Sequence, residues 1–212
     1  MITLIKKYSN IKNIILPNKK INIFVMCILF LGVIAGAVFS GIIGLNDKTL
    51  VIDKIHLFID NINNNSINSI LALKNSISIN LIYIFLIWFL GMALLGIIFN
   101  VLILFVKGFI FGFSIASFIL TYSYKGIIIS FLYLIFGQLL NIVVLLVLTI
   151  YSIMFSYQLL CLIFKNNNNT TRKFLKNYAL ILLFSVIISV ISSLSEAFLL
   201  PSLIKLIIKL YI

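Results

Sequence analysis

Apolar residues fill four long runs of the chain, and polar residues collect between them. The first run, 21–43, has no charged residue, and the second has a single one, Lys107. One helical crossing of a hydrocarbon core of about 30 Å takes about 20 apolar residues. The pattern therefore predicts transmembrane helices over 21–43, 81–106 and 108–123, the last two forming a tight hairpin that bends at Lys107.

The third run, which ends at Phe164, has thirty-nine residues without a charge. As one straight helix it would be about 58 Å long, at about 1.5 Å per residue. Because this is about twice the core thickness, the run must tilt, break or fold back. We predict a fourth transmembrane element over 127–164, broken near Gly137, with a re-entrant piece up to Phe136 and a full span from Leu139.

The fourth run predicts a fifth transmembrane helix over 178–200 and, after it, a helix over 201–212 whose lysines, Lys205 and Lys209, lie on one side. Such an amphipathic helix is typical of the membrane interface. The polar segment 45–80 contains three of the four acidic residues and an asparagine patch. Its apolar spacing predicts two short helices joined at the asparagines, with apolar faces that rest on the membrane, the bundle or a partner.

The composition of the chain also indicates a membrane protein. The chain is 63% hydrophobic and 9% charged, far outside the range of soluble domains. We therefore predict one membrane domain, an all-α integral membrane protein with about five transmembrane helices. Its net charge of +12 does not indicate nucleic acid, because the basic residues bracket the apolar runs instead of forming one stripe.

The distribution of basic residues predicts the orientation of the chain in the membrane. One side of a five-span arrangement collects 1–20, Lys107 and 165–177, which together contain no acidic residue. The other side collects six lysines and all three aspartates. The positive-inside rule then places the amino terminus and 165–177 in the cytoplasm, and 45–80 and 201–212 on the extracytoplasmic side.

Small residues recur every four positions in the first and fifth spans. On a helix this spacing forms a ridge that lets another backbone approach closely, in the same chain or in a partner's anchor. The predicted helix-packing residues are Gly32, Gly36, Ser40, Gly44, Gly108, Gly112, Ser185, Ser189 and Ser193.

A few strongly polar side chains fall inside apolar runs, and these are the candidate structural or partner-contact residues. They are Asn100, Lys107, Gln138, Asn141 and Glu196. We expect Lys107 at an interface and Asn100 against a neighbouring helix. A charged side chain at the bilayer centre costs about 2.5–3.5 kcal/mol, so Glu196 is protonated, bonded to serines such as Ser192 and Ser193, or paired with a cation. A structural role and a role in binding or gating both stay open.

The residues needed for catalysis are not evident. His56 is the only histidine and lies in a polar loop, no metal motif is present, and no phosphate-binding glycine motif occurs. An intramembrane enzyme would require two convergent titratable groups, and the sequence offers one, Glu196. We predict a protein without catalytic residues, metal or cofactor.

Three segments resemble the stage II sporulation protein M family: FNVLILFVKGFIFGFSIASFIL (99–120), KGIIISFLYLIFGQLLN (125–141) and SEAFLLP (195–201). One departure is Phe136-Gly137, where a proline is expected before Gln138. The resemblance implies a non-catalytic membrane protein of endospore-forming bacteria, required for engulfment of the forespore. It also implies a platform in the mother-cell membrane at the septum for two peptidoglycan-degrading partners, stage II sporulation proteins D and P.

We therefore predict a membrane scaffold in which 45–80 and 201–212 present docking surfaces to cell-wall hydrolases. A homo-oligomer is compatible with these features. The rival hypothesis is a transport component whose polar path is lined by four residues: Asn100, Gln138, Asn141 and Glu196. One continuous water-filled passage joining all four would favour transport, whereas separately satisfied positions would favour the scaffold.

Overall fold

The computed structural model describes residues 19–93, 96–165 and 171–211, and these residues contain no strand. The α-helices are α1 (Lys19–Ile42), α2 (Leu45–Asn63), α3 (Ser69–Gly91), α4 (Gly96–Leu132), α5 (Leu139–Lys165), α6 (Thr171–Leu194) and α7 (Leu200–Tyr211). Two π-helices, Tyr133–Gln138 and Ser195–Leu199, precede α5 and α7. Most of the basic segment 1–20 and the middle of the connector 165–177 lie outside the described residues.

Four continuous helical stretches are long and apolar enough to cross a membrane: Lys19–Ile42, Ser69–Gly91, Gly96–Leu160 and Leu175–Ile207. The third has 65 residues, far more than one crossing requires. Large apolar side chains are exposed along these stretches, as expected where lipid is the solvent. The predicted fold class, an all-α integral membrane protein, is confirmed.

The third stretch reverses at Ser123. This residue has a φ of 53°, a left-handed conformation that a non-glycine residue adopts uncommonly. After the turn, Gly126 packs directly on the carbonyl group of Phe118, and the Ser130 hydroxyl donates to the Ile115 carbonyl oxygen at 3.2 Å. The rest of α4 thus folds back along the helix that precedes Ser123.

The predicted hairpin bend at Lys107 is wrong. Helix α4 continues through this position, and the Lys107 side chain is only 9% exposed. The predicted second span, 81–106, is also not one helix, because α3 ends at Gly91 and a new helix begins at Gly96. A lone cation in an apolar run indicates an interface only when nothing inside the bundle stabilises it, and here other buried groups do.

The polar segment 45–80 contains the two predicted helices, joined at the asparagines, but the second of them is not short. Helix α2 ends at Asn63, and the next helix begins at Ser69 and continues without a break into the membrane span. The Asn68 side chain caps this helix by accepting from the backbone N–H groups of Ile70 and Leu71, at 3.1 and 3.2 Å. The asparagine patch, residues 61–68, therefore contains the end of α2 and the turn that leads into α3.

Helices α1 and α4 pack in parallel along small residues. Their contact, called here the glycine seam, consists of Gly32, Gly36, Ser40, Gly108, Gly112 and Ser117. A Cβ at Gly36 would overlap the Phe109 carbonyl oxygen, and one at Gly108 would lie 2.7 Å from the Leu29 carbonyl oxygen. Gly44 was predicted to continue this ridge, but it is exposed and precedes α2.

One end of the bundle is covered by α2, α7 and the segment after Ser123, which together form the end cap. Its small core consists of Ile59, Ile62, Phe118, Ile129, Leu200 and Ile204. The Lys205 ammonium also donates to the Asn65 side-chain oxygen, which ties α7 to the turn above α3. The segment 45–80 and the C-terminal helix therefore meet at the same end of the molecule.

The predicted break near Gly137 is a π-helix, so the chain continues as a widened turn and not as an interruption. The second π-helix precedes Pro201, whose ring clashes with the carbonyl of the residue four positions earlier, Ala197, in a regular α-helix. A widened turn relieves such a clash. After the first π-helix, helix α5 begins at Leu139, the position at which the full span was predicted to start.

Candidate functional site

A group of polar side chains, three of them buried, surrounds a cavity of about 390 Å³, the polar cavity. It lies between α3, α4 and the two π-helices. Its lining consists of Ser76, Ile79, Asn80, Tyr83, Lys107, Ile110, Phe111, Tyr133, Gln138 and Glu196. Its volume is within the range of about 300–1,000 Å³ that is typical of small-ligand sites.

Glu196 lies at the junction of three elements. One carboxylate oxygen accepts a hydrogen bond from the Ser76 hydroxyl at 2.6 Å, and the other accepts from the Gln138 side-chain amide at 3.0 Å. The Asn80 amide continues this network by donating to the hydroxyls of Ser76 and Ser193, at 3.3 and 3.2 Å. Of the alternatives left open for Glu196, a bond to a serine is present, but the serine is Ser76 on α3 and not Ser192 or Ser193.

Lys107 provides the opposite charge. Its ammonium nitrogen lies 4.6 Å from the centre of the Tyr83 ring, within the range of a cation–π interaction. Glu196 lines the same cavity, so the two side chains, when charged, attract each other across it. The aromatic face and the opposite charge explain how a lysine can lie inside a membrane span.

The two π-helices hold the polar residues at the cavity. They contact each other directly, because the Ser195 hydroxyl donates to the Phe136 carbonyl oxygen at 2.6 Å. Gln138 is the last residue of the first π-helix, and Glu196 is the second residue of the other. Isolated π turns are frequent at functional sites. The local irregularity thus coincides with the charged part of the bundle.

A separate polar group surrounds the end of α3. The Asn100 amide donates to the Ser152 hydroxyl, which donates to the Ile87 carbonyl oxygen at 3.0 Å. Ser156 and Tyr178 donate to the carbonyls of Gly91 and Trp88 at 2.7 and 2.9 Å. The last carbonyl groups of a helix lack partners within it, so these side chains complete the helix end. Asn100 thus has a structural position.

Asn141, on α5, belongs to neither of these two polar groups. It is buried, and neither atom of its amide has a hydrogen-bond partner among the described residues. Neither Asn100 nor Asn141 lines the polar cavity. The serines Ser185, Ser189 and Ser193 are buried as well.

Sequence reasoning singled out three members of the cavity: Lys107, Gln138 and Glu196. It missed Ser76, Asn80 and Tyr83, which were divided between a predicted loop and a predicted span. Their spacing of four and three residues would place all of them on one face of a helix, and this signal could have identified them. His56 lies apart from the cavity, with its Nδ1 atom 2.9 Å from the Tyr122 hydroxyl oxygen.

The number of titratable groups at the site differs from the sequence prediction. We expected one ionisable side chain, Glu196, and the structure brings Lys107 to the same cavity. The described residues contain no group of three or more His, Cys, Asp or Glu side chains suited to a metal ion. Lys107 and Glu196 are therefore two convergent titratable groups, the number that an intramembrane enzyme was expected to require. With neutral donors around them they can also bind a polar ligand.

Long apolar helices around a buried charged cavity define a polytopic integral membrane protein. The chain belongs to the stage II sporulation protein M family, whose sequence model matches residues 23–201. No curated protein and no solved structure matches it. The family assigns the chain to sporulation, as a membrane protein.

Proposed function

We propose that this protein is a non-catalytic membrane platform that recruits peptidoglycan-degrading proteins during forespore engulfment. Its partners would be stage II sporulation proteins D and P, at the septum and in the mother-cell membrane. The proposal combines family membership with one observation, the end cap, which presents an exposed surface held by the bundle.

The outer face of α2 supports this proposal. Leu50, Asp53, Leu57 and Asp60 recur at helical spacing, and all are exposed. The opposite face of α2 is anchored by Ile59 and Ile62 in the core of the end cap. The exposed face therefore combines apolar and acidic side chains on a helix that cannot rotate freely. Such a surface suits a partner that offers apolar and basic residues.

The platform has the orientation that wall hydrolases require if the predicted topology holds. The positive-inside rule places α2 and α7 outside the cytoplasm, on the side of the peptidoglycan. With Lys107 buried in the bundle, that rule rests on the two basic segments 1–20 and 165–177 alone, both of which retain their bias. The topology remains a prediction.

The test is site-specific photo-crosslinking in sporulating cells. A crosslinking amino acid at Leu57, which is 55% exposed, should capture the wall hydrolases. The matched control is Ile98, which is 61% exposed and lies near the start of α4, at the opposite end of the bundle. Capture of hydrolases equally from both positions, or of an ATPase from Leu57 in place of hydrolases, would contradict the platform.

The second candidate is a transport component, because two of its four predicted path residues line the polar cavity. Gln138 and Glu196 line one cavity, but Asn100 and Asn141 lie apart from it, so the four residues do not form the predicted path. Cysteines placed at Asn141 and Gln138 distinguish the candidates. A membrane-impermeant thiol reagent that labels both positions would favour transport, and labelling of neither or only of Gln138 would favour the platform.

A further inference from the structure

The polar cavity reaches the lipid-facing surface of the bundle. Ile79 on α3 and Ile110 on α4 line it and are 51% and 45% exposed, respectively. Both lie within membrane-spanning stretches. The cavity is therefore accessible from the side, between α3 and α4, to a molecule that is dissolved in the membrane.

The two charges in the cavity have capacity for a further ligand. Glu196 accepts from two neutral donors, Ser76 and Gln138, although an ionised carboxylate can accept about four hydrogen bonds. The Lys107 ammonium lies on an aromatic face, which leaves its own hydrogen-bond donors for an acceptor. A group that complements both charges carries an anionic acceptor and a cationic donor, connected by a short chain.

We propose that the polar cavity binds the headgroup of a zwitterionic phospholipid that carries a primary ammonium. The phosphate lies at Lys107, the ammonium donates to Glu196, and the acyl chains leave the cavity between Ile79 and Ile110. A phosphate accepts strongly from lysine, and a carboxylate prefers a donor that is itself charged. The inference does not depend on the platform role.

The position of the cavity suits a lipid from the leaflet next to the end cap. Glu196 lies four residues before Leu200, where α7 begins, and Ser76 lies in the first half of α3. Both residues are thus nearer to the end cap than to the opposite end of the bundle. Lys107 lies 11 residues after Gly96 and 16 before Ser123, near the middle of its span, so the phosphate has to descend through most of one leaflet to reach it.

The rim of the cavity favours a lipid over the transmembrane helix of a partner. Helices that pack in lipid approach one another along small residues, as α1 and α4 do. The opening is instead bordered by Ile79 and Ile110, with Ile82 and Val106 exposed nearby. These branched side chains keep a second backbone at a distance but admit flexible chains.

The first test uses the unmodified protein in nanodiscs of mixed lipids, followed by release and native mass spectrometry. Phosphatidylethanolamine should be retained roughly tenfold more strongly than phosphatidylcholine, because the trimethylated headgroup cannot donate to Glu196. Equal retention of the two lipids would overturn the proposal. Because this comparison involves no mutation, it is independent of folding defects.

The second test uses variants. Glu196→Gln should abolish the preference for phosphatidylethanolamine, and Lys107→Gln should lower the retention of both lipids by roughly tenfold. The control is Lys74→Gln, which removes an exposed lysine from the same region of α3 and should leave retention unchanged. If Lys74→Gln reduces retention as much as Lys107→Gln, or if a co-purifying polypeptide occupies the cavity, the proposal is wrong. Either result leaves crosslinking from Leu57 as a separate test of the platform.

Discussion

Helix α4 has two faces that are stabilised in opposite ways. Toward α1 it presents Gly108 and Gly112, and the backbones of the two helices touch. Toward α3 and the π-helices it presents Lys107 and Phe111, which border the polar cavity. Lys107 and Gly108 are adjacent in the sequence, yet one faces a cavity and the other a contact with no space for a methyl group.

The difference reflects what lipid does to each kind of contact. Apolar helices gain little by leaving lipid for each other, so the glycine seam depends on close van der Waals packing. Polar side chains in lipid depend on finding partners, because an unpaired charge there is expensive. The seam is therefore sensitive to added volume, whereas the cavity is sensitive to the loss of a charge or a hydrogen bond.

The largest expected effect comes from adding one methyl group to the seam. In Gly36→Ala the new Cβ would overlap the Phe109 carbonyl oxygen, and backbone cannot move aside as a flexible side chain can. We expect the free energy of unfolding in lipid or detergent to fall by about 1–3 kcal/mol, the typical range for overpacking. Thermal or steric-trap unfolding measures the change.

The matched control is Gly41→Ala, on the same helix, where no atom lies within 4 Å of the added Cβ. Its effect should be smaller than about 0.5 kcal/mol, as for other surface substitutions. Equal destabilisation by both variants would mean that α1 responds to the loss of glycine itself and that the seam is not closely packed.

The next effect concerns the charges in the cavity. Lys107→Met and Glu196→Gln should each lower the free energy of unfolding by about 1–2 kcal/mol, and the double variant should lose less than their sum. The reason is that the two side chains line the same cavity, where each is the opposite charge available to the other. Insertion into the membrane should be retained in all three variants. Strictly additive losses would show that the two groups do not interact.

Of the two faces of α4, the glycine seam can be predicted from the sequence and the face at the polar cavity cannot. The seam residues Gly32, Gly36 and Ser40 are visible because a four-residue spacing is local information. The position of Lys107 is not local, since a cation in an apolar run is stable inside a bundle only if distant residues such as Tyr83 and Glu196 meet it there. The prediction therefore treated it as a loop residue and divided the span at the wrong place.

The helix ends show the same limit. The break after Gly91 lies in a segment without charge or proline, so hydropathy alone did not reveal it. The reversal at Ser123 instead coincides with the predicted end of the span 108–123, two residues before Lys125. The end of α3 is stabilised by Ser152, Ser156 and Tyr178 from distant helices, a contribution that no local pattern contains. By contrast, the amphipathic spacing before the C-terminus correctly indicated the helix α7.

The smallest effect tests whether hydrogen bonding contributes to the seam at all. Ser40 and Ser117 bond to each other through their hydroxyl groups at 2.9 Å, in a buried position between α1 and α4. Ser40→Ala should lower the free energy of unfolding by only about 0.6 kcal/mol, the mean value for interhelical hydrogen bonds in a membrane. The double variant with Ser117→Ala should be nearly as stable as the parent, because it leaves neither hydroxyl unpaired and keeps both side chains small. A loss above about 2 kcal/mol in the double variant would instead show that polar bonding holds α1 to α4, and the contrast between the two faces of α4 would then disappear.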